Sequence, residues 1–260
     1  MKPETYSQMS NLVYLETTDS TNEEAKRLAK QAEDGFIVVA GAQTAGKGRK
    51  GRSWVSPAGK NLYFSLLLKP SFTPDSASML TLVMAIAVKR AVADLYSVAD
   101  SHTQVQIKWP NDLVAGGKKL VGILTEMQLA GSAIDYVVIG VGVNVEKQDF
   151  EQVDCAHATD LETVFGKTVS FAKLLSAIRS RFADAYRCFQ KTYDLSGLMA
   201  EYNEALVNAG RQVRILDPKG TYIGVADGID EKGELIVQTK DGIKKIYAGE
   251  VSVRGVYDYV

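Results

Sequence analysis

The stretch Gly41–Trp54, GAQTAGKGRKGRSW, constrains the fold more than any other part of the sequence. Gly41, Gly46, Gly48 and Gly51 stand among Lys47, Arg49, Lys50 and Arg52, and an apolar run precedes them. Glycine lets a backbone approach a phosphate closely, and the interleaved cations neutralise it, so the segment reads as an anion-holding loop. From these residues alone a solvated surface loop is the competing reading. Gly41 to Gly48 nearly spells the pattern G-x-x-x-x-G-K-[ST], but Gly48 stands where the magnesium-holding hydroxyl is needed and no helical segment follows. The P-loop reading therefore fails.

The flanking segments show what the loop hangs from. Leu12 to Leu15 reads as a short strand, and Asp19-Ser20-Thr21-Asn22 offers several N-cap candidates before a helical run, EEAKRLAKQA, with its acids first. Gly35 ends that helix, and Phe36 to Ala40 is a buried-type strand that delivers the chain into the loop. Beyond it come a strand from Asn61 to Lys69, a core helix from Asp75 to Tyr96 and a strand from Val105 to Trp109. Pro110-Asn111-Asp112 forces a break, and Gly116-Gly117 forms a tight turn into a strand from Lys119 to Leu129. In the next strand, Ile134 to Val145, Gly140 and Gly142 leave backbone uncovered. Helices follow near Asp160 to Phe165, Ser170 to Gln190 and Leu195 to Asn208. From Arg211 short alternating runs separated by Gly/Asp turns form a small all-β unit, which at about 50 residues needs to pack on the rest.

Charge and rare residues exclude several classes. With 30 basic against 31 acidic residues the net charge is -1, so the positive loop is local and gives no whole-protein attraction to nucleic acid. No signal-like start and no membrane-length apolar run is read, which makes a cytoplasmic location the expectation. Cys155 and Cys188 are too few for a disulfide scaffold, and His102 and His157 lack any ligand or nucleophile pattern. Chemistry here falls to lysine, arginine, carboxylates and backbone.

A second constellation, Lys108-Trp109-Pro110-Asn111-Asp112, precedes Lys118, Lys119, Gly122 and Glu126 across a hairpin. Lys119 inside KLVGIL either snorkels or meets an anion. With these residues on the page the chain resembles the biotin protein ligases, from about Thr17 to its end. The resemblance is carried by Asp19-Ser20-Thr21-Asn22, Gly46 to Trp54, Lys108 to Asp112, Lys119 with Gly122-Ile123-Leu124, and Gly140-Val141-Gly142-Val143-Asn144. It implies an α+β protein, a mixed-sheet catalytic domain flanked by helices over residues 1–208 and a small SH3-like β-barrel over 209–260.

The implied reaction joins biotin and MgATP into biotinyl-5'-adenylate, then transfers biotin to a lysine of a biotin carboxyl carrier protein. The resemblance makes Lys119, Arg49 and Asp112 catalytic, with Asp112 either orienting Lys119 or accepting the amine proton. It assigns biotin to Ser20, Thr21, Asn22, Gln43, Gly46, Lys47, Gly48, Arg49, Lys119, Gly122, Gly140 and Gly142. ATP goes to Arg49, Arg52, Trp54, Asn111, Lys119, Asn144, Glu250 and Arg254, with Mg²⁺ arriving on ATP and no protein metal ligand. Either tryptophan, Trp54 or Trp109, is available to wall adenine or shield the anhydride. Many relatives carry Arg where Lys47 stands, and lysine loses the planar fork.

Only about 16 residues precede Thr17, so no DNA-binding domain and no operator binding is expected. An open sheet edge offers a surface for the carrier protein or for a homodimer. Two rival functions stay open: lipoate or octanoate attachment on the same fold, and a nucleic-acid module touching phosphates through KGRKGR. The glycine-basic loop is expected to close over its ligand.

Overall fold

The computed structural model describes residue 6 and residues 11–96, 104–150, 157–217, 220–248 and 252–255. His102, Cys155 and Glu250 lie outside the described residues, as does the side chain of Arg254. In chain order the elements begin with β1 (Leu12–Thr18), α1 (Thr21–Leu28), β2 (Phe36–Gln43), β3 (Asn61–Leu68), α2 (Pro74–Ala77) and α3 (Leu80–Leu95). They continue with β4 (Gln106–Lys108), β5 (Asp112–Ala115), β6 (Lys118–Ala130), β7 (Ala133–Asn144), α4 (Leu161–Phe165), α5 (Phe171–Phe189) and α6 (Met199–Ala205). The last are β8 (Gln212–Asp217), β9 (Gly220–Ile229), β10 (Leu235–Thr239), β11 (Gly242–Ile246) and β12 (Ser252–Gly255). The fold is α+β, and it divides into two compact units, Met1–Ala77 with Leu120–Ala177 and Ser78–Lys119 with Ile178–Val260.

The first unit is built on a mixed sheet in which β1-β2-β3-β7-β6 are neighbours, β1 and β2 parallel and the remaining pairs antiparallel. β3 is buried along its whole length, which is why NLYFSLLL reads as a continuous apolar run broken only by Ser65. α1 lays Ala25 and Leu28, with Ala29 and Ala32 beyond its end, against Val38, Leu67 and Val138, so small residues let the helix sit close to the strands. The helical pattern extends to Ala32, but α1 stops at Leu28. Beyond it Ala29 and Gln31 donate to carbonyls only three residues back, the tightened turn common at helix ends.

The second unit contains α3, whose buried residues run from Leu80 through Val92 on nearly every face. The segment Pro74–Leu95 is long and apolar enough, by length and composition, to cross a membrane, although it is no unbroken apolar run: Asp75, Lys89, Arg90 and Asp94 interrupt it. Its side chains are mostly buried inside the protein, Arg90 bonds Glu201 on α6, and Asp94 accepts from Arg181 on α5 at 2.6 Å. The C-terminal strands form an antiparallel sheet ordered β11-β10-β9-β8-β12. Among the described residues this sheet is open between β11 and β12, so the expected barrel is an SH3-like open sheet. Val213, Ile215, Ala226, Val237 and Val253 alternate onto its buried face.

Three contacts tie that sheet to the rest of its unit. Asn203 of α6 receives Ile229 N at 2.7 Å and donates to Ile229 O at 3.2 Å. Leu195 N donates to Glu231 O at 2.7 Å. Trp109 is 1% exposed, its Nε1 donates to Gly233 O at 3.0 Å, and its backbone N donates to Asn208 Oδ1 at 3.1 Å. The aromatic of the K-W-P-N-D stretch is therefore a core residue, and burial removes it from any role as a wall for adenine or the anhydride. Trp109→Ala is expected to cost about 3–5 kcal/mol through the cavity it leaves. Trp109→Phe should cost less, about 1–3 kcal/mol, by leaving the Gly233 carbonyl unpaired. Urea unfolding of the three proteins checks the order.

Candidate functional site

In the first unit the glycine-basic stretch is a hairpin. Lys47 bridges Ser53, Trp54 N donates to Gly46 O at 2.8 Å, and Gly48 N donates to Arg52 O at 2.7 Å. At its tip Arg49–Gly51 makes a single 3₁₀ turn with Lys50 in the left-handed region at φ 57. Its base is fixed by Thr44 N to Thr18 O at 2.9 Å and Ala45 N to Asp19 O at 2.8 Å. A loop expected to close over a ligand thus has a bonded stem, and any opening has to break these bonds. Gly46 is required by space: a Cβ there would meet Trp54 O at 2.4 Å and Ser56 Oγ at 2.7 Å.

Behind the hairpin lies a continuous polar chain. Ser56 Oγ donates to Trp54 O at 3.0 Å and accepts from Gln43 Nε2 at 2.8 Å. Gln43 Oε1 accepts from Thr21 N at 2.9 Å and Thr21 Oγ1 at 3.2 Å. Ser65 Oγ lies 2.8 Å from Thr21 Oγ1 and 2.6 Å from Asn22 Oδ1. Asn22 Nδ2 then donates to Glu126 Oε2 at 2.7 Å. Ser20, Thr21 and Asn22 are all buried. Ser20 is the N-cap of α1 but makes no side-chain cap bond, so the D-S-T-N stretch spends its polar atoms on tertiary contacts instead. Asp19 orders it from outside, accepting from Ser20 N and from both terminal nitrogens of Arg27.

The strand glycines meet this apparatus directly. A Cβ on Gly122 would lie 2.6 Å from the Trp54 ring and one on Gly142 2.5 Å from its Nε1. One on Gly140 would lie 2.1 Å from Asn22 Oδ1. The backbone expected to be bare is thus covered by the chain's own side chains. Asn144 is buried, and its Nδ2 donates to Thr159 O at 3.0 Å. Arg52 is exposed and Arg49 partly so.

The second unit holds Asn111, Asp112 and Lys119 on the β4–β5 turn, β5 and the start of β6. Lys119 Nζ lies 2.7 Å from Asp112 Oδ1, with the two side chains 24% and 12% exposed. Snorkelling does not describe this lysine: it meets an anion, a carboxylate of its own chain. Among the described residues no three His, Cys, Asp or Glu side chains converge as metal ligands. Ser65 escaped the sequence reading, although it had one signal, a hydroxyl in an otherwise apolar strand.

Two predictions follow from this geometry. Gly140→Ala has to displace the Asn22 amide and break its bonds to Ser65 and Glu126, a cost of about 1–3 kcal/mol in urea unfolding. The Arg27 guanidinium and the Ser20 N–H hold the Asp19 carboxyl well below its ordinary value of 3.8. Because the folded-state value is lowered, the stabilisation is complete above that ordinary value and is lost as pH falls toward the lowered one. Asp19→Asn should therefore be less stable than the parent near neutrality, and the two should converge in acid, as urea midpoints at about pH 6 and about pH 2 will test.

The chain has extensive relatives. Residues 14–144 match the biotin/lipoate A/B protein ligase family, and residues 209–254 match the biotin protein ligase C terminal domain. The bifunctional ligase/repressor BirA of Bacillus subtilis is 35% identical over 246 residues, 94% of this chain and 74% of its own length. A biotin--[acetyl-CoA-carboxylase] ligase of Paracoccus denitrificans is 34% identical over 244 residues, 93% of this chain and 100% of its own. Among solved structures, a biotin protein ligase from Aquifex aeolicus in complex with biotin and ATP superposes with a TM-score of 0.80 at 30% identity, over 95% of this chain and 100% of that one.

Proposed function

This chain belongs to the biotin protein ligase family, and from that premise we propose how its residues divide the work of an ATP-dependent biotin ligase. The observation that carries the proposal is the Lys119–Asp112 pair, a lysine held in place by a buried carboxylate. In the first half-reaction a carboxylate oxygen of biotin bonds to the α-phosphorus of ATP. The bond from that phosphorus to the bridging oxygen breaks, and pyrophosphate leaves with the electron pair. Negative charge grows on the α-phosphate oxygens, and a cation already oriented there lowers the barrier without reorganising. Lys119 is that cation and Asp112 its orienter; Arg49 and Arg52 supply further positive charge from the hairpin. Magnesium accompanies ATP, held by the substrate's phosphates rather than by a cage of protein ligands.

Ser20, Thr21, Asn22 and Gln43 give the bicyclic ring of biotin its few placed donors and acceptors, and Trp54, packed directly on Gly122 and Gly142, borders the nucleotide side. Gly46, Lys47 and Gly48 border biotin, while Asn111, Asn144, Glu250 and Arg254 belong to the nucleotide side. In the second half-reaction the lysine amine of a carrier domain attacks the anhydride carbonyl, the bond from that carbon to the phosphate oxygen breaks, AMP departs with the electron pair, and the amine gives up a proton to solvent as the amide forms. The working domains are residues 1–208 for catalysis and 209–260 for the SH3-like part. We place the reaction in the cytoplasm, with two copies able to pair through a sheet edge. A net charge of -1 leaves no general attraction to DNA.

The test is incubation with biotin, MgATP and a carrier domain, followed by mass measurement, with lipoate as the competing acid in pyrophosphate exchange. Biotin should support exchange and lipoate should not; equal exchange would overturn the substrate. Lys119→Ala is expected to lose about 10²–10³-fold in exchange rate, and Asp112→Asn about tenfold to a hundredfold through misplacement of the lysine. Full carrier modification by Lys119→Ala would remove it from the mechanism.

A further inference from the structure

Lys47 stands in the anion-holding hairpin, yet its Nζ is 2.7 Å from Glu23 Oε1 on the first turn of α1. The same Glu23 oxygen accepts from Lys26 Nζ at 2.8 Å, and Lys26 Nζ lies 2.7 Å from Glu126 Oε1. Glu126 Oε2 in turn holds Asn22 Nδ2 at 2.7 Å, beside Gly140. Two carboxylates and two ammonium groups thus form a charge-balanced row from the hairpin stem to the sheet. Removing the Lys47 ammonium leaves one negative charge in excess in a half-buried place, which opposes its departure. Lys26 and Lys47 also hold the Glu23 carboxyl below its ordinary range.

The backbone makes Lys47 the right residue to hold. It sits in the hairpin stem, bridging Ser53, above a base already bonded through Thr44 and Ala45. On the opposite side the stem is held by Ser56 and Gln43, and the Lys47–Glu23 bond links it to α1. With side chains 47% and 29% exposed, the pair is screened by water and weak enough to open and close. We infer that Glu23 is a positioning residue: it latches Lys47, and with it the hairpin over residues 46–54, to the helix that presents Thr21 and Asn22.

Two consequences follow, of which the second rests on the ligase reading and the first does not. In the free full-length chain, trypsin cleavage after Arg49, Lys50 and Arg52 should quicken about two- to fivefold in Glu23→Gln, the range an exposed ion pair supplies. Lys47→Gln should quicken it equally, the double variant no further, and Lys47→Arg should match the parent because arginine still reaches the carboxylate. Biotinyl-adenylate preformed on the enzyme should escape faster by a similar factor in Glu23→Gln, with Lys47→Arg again restoring retention. Unchanged cleavage in Glu23→Gln, or additive effects in the double variant, would overturn the latch. A chain that makes no adenylate would remove the ligase reading, and the cleavage rates would still decide the latch.

Discussion

The structure depends on a patch of sheet from which side chains are missing. Gly142 pairs with Gly122 on one side and Tyr63 on the other, and in the adjacent row Gly140 pairs with Leu124 and Ser65. Over the first row lies the Trp54 indole and over the second the Asn22 amide, both closer to the backbone than any Cβ would allow. The hairpin and the start of α1 can therefore settle on the strands themselves. The cost of glycine inside a strand, roughly 0.5–1 kcal/mol each relative to alanine, is offset by these contacts and by the bonds they make possible.

Because Asn22 lies that close, its amide must be fully satisfied, and it is: Ser65 on one atom, Glu126 and the Leu124 carbonyl on the other. A buried polar group with one partner missing would be expensive. This explains why a serine interrupts the apolar run of β3 and why an acid stands on β6. Each answers an atom of a residue far away in sequence. The same logic extends to Thr21, Gln43 and Ser56, so the floor of the candidate site is a rigid polar chain rather than a set of independent groups.

Periodicity and turn residues made most strands and the long helices legible, since the apolar face of α5 and the alternation of the C-terminal strands are local patterns. What local patterns carry poorly is where a regular run stops. Asp75 to Tyr96 reads as one helix but divides at Ser78–Met79 into α2 and α3, and Leu195 to Asn208 is helical only from Met199 to Ala205. The second case follows a left-handed Tyr193 and an Asp194 that bonds Thr192 and Ser196, a turn built by side chains that a helical period does not register. The tryptophans show the same limit for function. Both fall in motifs, yet Trp109 is core because its Nε1 finds the Gly233 carbonyl 124 residues away, whereas Trp54 covers glycines on β6 and β7. Nothing within either motif distinguishes the two environments; partners distant in sequence do.

Charge is the other place where sequence and structure part. The hairpin looked like an unopposed positive loop, and Lys119 like a lysine that either snorkels or meets an anion. In the folded chain Lys47 is matched by Glu23 and Lys119 by Asp112, each at 2.7 Å. A bare ammonium beside apolar strand would turn to solvent; a paired one keeps its direction. In the proposed reaction, an arriving phosphate or anhydride would replace the carboxylate as the lysine's anion, and the carboxylate left behind would limit how far it travels. Positive charge stored in this form costs the empty protein little, yet it is oriented before the ligand binds. That is the condition electrostatic catalysis requires.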